Sequence, residues 1–169
     1  MDGQRAGTHL LGLICVGLAV FSLVACASQQ IQPGNNLANG AGGPVNPGTN
    51  RDFSVNVGTT VYFTTDSVEL SPEAVQTLRN QAIWLNRYPR YTITLEGHAD
   101  ERGTREYNIA LGARRSTTVR QFLASQGVSP ARLRTISYGK ERPVAVCNDI
   151  SCWSQNRRSV TLLNKRATM

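Results

Sequence analysis

A chain of 169 residues has room for one domain of ordinary size plus extensions, and its 40% hydrophobic content is ordinary for a globular protein. The net charge of +7 points to an acidic partner, such as nucleic acid, anionic lipid or a carboxylate-bearing polymer. The basic residues are scattered rather than gathered into a dense run, which argues against nucleic acid.

Leu10 to Ala25 is a run of sixteen apolar or small residues, with Ser22 its only polar member. A membrane span needs about 20 residues, so the run reads as the core of a signal peptide over residues 1–25. Arg5 is the only fixed positive side chain ahead of it, and Asp2 opposes it. The run ends Leu23-Val24-Ala25-Cys26, which resembles the bacterial lipobox. That resemblance implies cleavage before Cys26 and lipid modification of this cysteine, which becomes the mature N-terminus. The alternative is an ordinary signal peptide with a chance cysteine. Ala27, standing where aspartate retains such proteins at the inner membrane, implies onward export to the outer membrane. Several acyl chains make that anchor stable, whereas one binds only marginally.

From Ser28 to about Arg51 the chain is mostly Gly, Asn, Pro, Gln and Ala, with almost no charge. Such composition cannot build a core and predicts a flexible tether. Residues 26–57 are accordingly assigned to the lipidated N-terminus and tether, and 58–166 to the domain. Thirty such residues average ~30 Å end to end and reach at most ~100 Å when stretched.

Thr59 to Phe63 is β-branched and aromatic, as a strand should be. Ser71-Pro72-Glu73 is a helix start, with serine as cap, proline at the first position and an acid in the first turn. Val75, Leu78, Ala82 and Leu85 mark one helical face, and the helix should stop near Tyr88, before Pro89. Tyr91 to Glu96 alternates, with Tyr91, Ile93 and Leu95 on one side, which predicts a half-buried strand. Thr104 caps a second helix from about Arg105 to Ser125, and Gly127 stops it. Arg132–Tyr138 and Arg158–Leu163 read as two further strands, separated by a loop with Pro143, Cys147, Cys152 and Trp153. The order βαβα then ββ predicts a two-layer α/β sandwich, with helices packed on a small mixed four-stranded sheet.

On the second helix, Leu111, Val119 and Phe122 share a face with Asn108 and Arg115. An unpartnered buried charge is costly, so Arg115 must pair with a carboxylate such as Asp100 or with an anionic ligand, or else snorkel to water. Asp100 in the loop before this helix, Arg115 within it and Asp66 after the first strand can all border one pocket. Two carboxylates, a guanidinium and backbone N–H groups at a helix start suit a small zwitterion. Diaminopimelate, in the peptide stems of bacterial cell walls, is one.

The unbroken run GHADERGT, followed by YN, LG and RR at this spacing, resembles the peptidoglycan-associated lipoproteins, whose globular part is an OmpA-like domain. The resemblance covers about Val61 to Leu163. It implies non-covalent binding of peptidoglycan diaminopimelate by Asp66, Asp100, Asn108, Leu111 and Arg115. Phe63, Asn156, Arg157 and Arg158 stand as supporting positions. It also implies anchoring in the outer membrane by the lipid on Cys26, a domain in the periplasm, and TolB and TolA as partners in cell division and envelope integrity. Thr64, Thr65 and Arg105 depart from many relatives.

Cys147 and Cys152 fit either a short disulfide, in an oxidising compartment, or half a metal site. No second cysteine pair or histidine lies near them in sequence, which favours the disulfide. His98, Asp100 and Glu101 form only a weak metal pattern, and nothing in the chain calls for a cofactor. An enzymatic alternative, a peptidoglycan hydrolase using acidic residues such as Asp66, Asp100 and Glu101, has the carboxylates it needs. An adjacent arginine, however, holds Asp100 ionised, as a binding group rather than a proton donor.

Overall fold

In a computed structural model the described residues are 45–165. The signal-like run, Cys26 and the first part of the assigned tether lie outside them. The elements in order are α1 (Asn50–Asp52), running on as a π-helical turn Phe53–Val57, then β1 (Thr60–Tyr62), α2 (Pro72–Arg87), β2 (Tyr91–His98), α3 (Arg105–Ser125), β3 (Leu133–Gly139), α4 (Ile150–Asn156) and β4 (Arg158–Lys165). The expected layers are present, with helices on an open, mixed four-stranded sheet. Its strand order is β1-β4-β2-β3. β4 lies antiparallel to both β1 and β2, while β2 and β3 are parallel and joined through α3.

Local chemistry sets these limits. Ser71 Oγ accepts the Ala74 N–H at the start of α2, and Thr104 Oγ1 accepts the Tyr107 N–H at the start of α3. Gly127 then takes a left-handed conformation (φ 90°) just past the end of α3, where a side chain would be strained. The core between layers is closed by Leu78 and Leu85 of α2, Val119 and Leu123 of α3, and Ile93 and Leu95 of β2, all fully buried.

α3 lies unusually close to β2. A Cβ on Gly97 would sit 1.8 Å from the Gly112 carbonyl oxygen, and one on Gly112 only 2.7 Å from the Gly97 oxygen. Two glycines are thus required where helix and strand cross. This contact brings residue 115 of the helix against residue 98 of the strand.

Two helical pieces go beyond the sequence expectation. The tether assigned up to residue 57 ends earlier, because Asn50–Val57 is helical and packed. Thr49 Oγ1 caps it by accepting the Asp52 N–H, and Phe53, only 1% exposed, packs on Trp84 with ring centroids 4.9 Å apart. The Asp52 carboxylate accepts hydrogen bonds from the Gly48 N–H (2.7 Å), Trp84 Nε1 (2.8 Å) and Asn56 Nδ2 (2.8 Å). Tyr91 Oη donates to the Gly48 carbonyl at 2.8 Å, and Arg90 Nη2 donates to the same oxygen. The incoming chain is therefore clasped at the start of β2. The second piece is α4, which falls in the expected late loop and is capped by Asp149, whose Oδ1 accepts the Ser151 N–H at 2.7 Å. Cys147 and Cys152 are bridged, with Cα atoms 5.7 Å apart, and tie the loop to the first turn of α4.

Candidate functional site

β1 and β2 end, and the antiparallel β4 begins, at one end of the sheet, opposite the clasp at Tyr91. The loops Phe63–Ser67 and Ala99–Thr104 and the segment Asn156–Arg158 meet there, next to the first turns of α3. Arg115, three turns into the helix, is fully buried at 0% exposure. It neither snorkels nor pairs with Asp100. Its Nη1 donates to the His98 carbonyl (2.8 Å), Nη2 to Thr64 (3.1 Å) and Nε to Ser67 (2.9 Å). The guanidinium also stands over the Phe63 ring, 5.1 Å from its centroid. Three backbone carbonyls, two on the loop after β1 and one at the end of β2, thus converge on one cation. Of its five N–H groups, these bonds use one on each nitrogen, leaving one on each terminal nitrogen for an acceptor. Burial lowers its pKa to about 10, helped by Arg157 and opposed by Asp100 and Asp66, so Arg115 remains charged at neutral pH.

Asp100, also buried, takes a different set of partners. Its Oδ1 accepts the Arg102 backbone N–H (3.2 Å) and Nε (3.1 Å), and its Oδ2 accepts Arg102 Nη2 (2.7 Å) and Arg157 Nη1 (3.3 Å). Burial alone would raise its pKa, but the hydrogen bonds from Arg102 and Arg157 outweigh it and hold the carboxyl below its usual range. Arg157 also donates from Nε to the Phe63 carbonyl at 3.0 Å, so it joins Asp100 to the end of β1. Asp66 has a left-handed backbone (φ 54°), a conformation aspartate tolerates better than most residues, and its carboxylate accepts the Tyr107 hydroxyl. That contact ties the loop after β1 to the first turn of α3.

The remaining expected site residues divide by role. Asn108, 2% exposed, donates from Nδ2 to the Arg102 carbonyl at 2.7 Å and so shapes the loop that carries Asp100. Leu111 is buried one turn ahead of Arg115. Asn156 holds the loop before α4, accepting from the Val144 N–H (2.8 Å) and donating to the Ala145 carbonyl (2.7 Å). Arg158 donates to the Asn156 and Arg142 carbonyls and makes no bond to Asp100 or to the cage of Arg115. Of the asparagine-arginine-arginine run, only Arg157 therefore enters the charged cluster.

The residues of the HxDE pattern part company. His98 Nε2 lies 3.4 Å from Glu96 Oε2 without hydrogen-bond geometry, and the ring packs by Tyr138 with centroids 5.6 Å apart. Glu101 Oε1 instead accepts the Trp153 Nε1–H. Among the described residues no group of three His, Cys, Asp or Glu side chains is gathered to hold a metal. A groove of about 650 Å³ shares Phe63 and Thr64 with the Arg115 cage, but neither Asp100 nor Arg115 lines it. Sequence reasoning missed Arg102, Trp153, and the carbonyls of Thr64 and Ser67. Arg102 stood in the GHADERGT run itself, whereas a carbonyl partner leaves no mark in the sequence.

Comparison with known proteins agrees with this architecture. Residues 62–157 match the model of the OmpA family. The peptidoglycan-associated lipoprotein of Agrobacterium fabrum is 58% identical over 153 residues, covering 89% of this chain and 86% of its own. That of Pseudomonas aeruginosa is 44% identical over 85% of this chain and 90% of its own. Among solved structures, the peptidoglycan-associated lipoprotein of Burkholderia pseudomallei superposes with a TM-score of 0.61 at 40% identity, over 63% of this chain and 90% of that one. The C-terminal domain of Helicobacter pylori MotB shares the fold, with a TM-score of 0.60 at 23% identity over 64% of this chain and 85% of that one. On the length and level of these matches, the chain belongs to the peptidoglycan-associated lipoproteins of the OmpA family.

Proposed function

We propose that this chain is acylated at Cys26, sits in the outer membrane by that anchor, and binds peptidoglycan non-covalently through the diaminopimelate of its peptide stems. The signal peptide is residues 1–25, and the tether runs from Cys26 to about residue 44, where the clasped part of the domain begins. The observation that carries the binding role is the presence of a buried cation and an ionised carboxylate, Arg115 and Asp100, close enough to influence each other without bonding. Arg115 is a buried cation whose two terminal nitrogens each keep an N–H for an acceptor, in the same cluster as the ionised Asp100. A ligand carboxylate suits the first and a ligand ammonium the second. The names of the relatives support the same reading. Within the envelope the role is a tether between outer membrane and wall, with TolB and TolA as protein partners in cell division and envelope integrity.

A carboxylate held below its usual range is a poor proton donor near neutral pH, so Asp100 serves binding better than glycan cleavage. The test is co-sedimentation of the lipid-free protein with purified sacculi, with and without competing meso-diaminopimelate. Binding should be displaced by the free diamino acid, and Asp100→Ala should reduce it by tenfold or more, because losing one member of a desolvated charge pair costs ~2–5 kcal/mol. Unchanged sedimentation of Asp100→Ala overturns the assignment, and release of soluble muropeptides replaces binding with hydrolysis.

A further inference from the structure

A carboxylate offers about four acceptor positions, and on Asp100 all four are filled by the chain itself, three of them by Arg102. The Arg102 fork lies along the carboxylate, Nε on Oδ1 and Nη2 on Oδ2, as a ligand's cationic group would have to. Yet its side chain is 41% exposed, unlike the buried Arg157 on the same oxygen. What steadies it is an aromatic face, for the Arg102 guanidinium lies 4.2 Å from the centre of the Trp153 ring. Trp153 is fixed in turn by its bond to Glu101 and by its place in α4, next to the bridged Cys152.

We propose that Arg102 is a built-in competitor for the ligand's ammonium at Asp100, and that Trp153 on the disulfide-closed α4 is a positioning residue that holds it there. The inference rests on the reading of Asp100 as the ammonium-binding group. A diamino acid entering the site must displace the Arg102 head from the carboxylate. Arg102 can leave, because an ion pair and a ring stack at a half-exposed position are each weak. The device sets an affinity threshold, favouring a ligand whose ammonium is delivered with other contacts over a free monovalent amine.

The test uses the lipid-free protein and two probes, meso-diaminopimelate and pimelate, which has the same carbon chain and both carboxylates but no amine. Arg102→Ala should bind meso-diaminopimelate about tenfold more tightly, the sum of the weak contacts removed, among them the long bond from Nη2 to Thr65 Oγ1 at 3.5 Å. Its affinity for pimelate should stay the same or fall. Trp153→Leu, which keeps an apolar side chain but not the ring face, should move the two probes in the same directions with a smaller effect. A merely structural role for either residue would weaken both probes together. Weaker or unchanged diaminopimelate binding in Arg102→Ala overturns the competitor role while leaving the site reading intact. Failure of wild type and Arg102→Ala alike to bind meso-diaminopimelate overturns the site reading, and this inference with it.

Discussion

Replacing Arg115 with lysine separates what its charge does from what its shape does. The guanidinium spans three carbonyls, those of Thr64, Ser67 and His98, at 2.8–3.1 Å. A lysine keeps the positive charge but presents it as one point, and that point cannot reach three oxygens spread around a planar fork. At least two carbonyls are then left unpaired beside a buried cation. Each buried acceptor so stranded costs ~1–3 kcal/mol, so Arg115→Lys should destabilise the domain by about 2–5 kcal/mol. For a domain of this size that corresponds to a fall in Tm on the order of 10–20 °C. The loop held by two of these carbonyls carries Asp66, and the end of β2 held by the third leads directly into Asp100, so wall binding should fall in the same variant. Thermal unfolding followed by circular dichroism, with sacculus co-sedimentation on the same samples, reads both. The refuting result is a Tm within about 3 °C of wild type; Arg115 would then act only on the ligand, and the carbonyl cage would not hold the loop and strand end.

Two further predictions concern stability alone. His98 is buried, and burial, then the charges of Arg158 and Arg142, lower its pKa to about 4. The unfolded chain takes up this proton near pH 6.5, and the native state only near pH 4. Stability should therefore fall as pH drops from about 6.5 to about 4 and level off below that. The drop in Tm between pH 7.5 and 4.5 should be smaller in His98→Gln, and equal drops in the two proteins would exclude a buried neutral histidine. Phe53→Ala should cost about 3–5 kcal/mol, as for any aromatic removed from a core, whereas a residue in a free tether would cost nothing measurable by denaturant unfolding.

Where local signals were strong, the sequence alone reached the structure. The limits of α3 are legible because Thr104 and Gly127 punctuate it, whereas in β2 the alternation of Tyr91, Ile93 and Leu95 marks the strand only to Glu96, two residues short of its end at His98. α4 was invisible for the opposite reason. Its seven residues, ISCWSQN, are too few to establish a period, and only Asp149 marks its start. The segment before β1 misled through composition. Gly, Pro and Asn dominate up to residue 50, and a single Phe53 with one aspartate suffices to fasten the chain to Trp84. Strand order depends on β4 inserting between β1 and β2, a pairing between segments far apart in sequence, for which no local pattern exists.

At the site, the sequence shows the charges but not their connections. Arg115 and Asp100 were recognisable as charges on or beside an apolar helix face. Their partners were not, because Arg115 is satisfied by carbonyls that every residue carries, and Asp100 by an arginine two positions on. Gly97 and Gly112 are, in the sequence, only letters of a motif. Their meaning, a helix resting directly on a strand, comes from backbone distances.

The clasp at Gly48 and the charged cluster lie at opposite ends of β2. Under the proposed tethering role, a pull between membrane and wall enters at one end of the sheet and leaves at the other, along the strands. The antiparallel bonds between β2 and β4 run perpendicular to that direction, so the load shears them together instead of peeling them one by one. The clasp is held by far fewer bonds. It should therefore give way first, letting the residues around the π-helical turn extend the tether while the sheet and its grip on the wall stay whole.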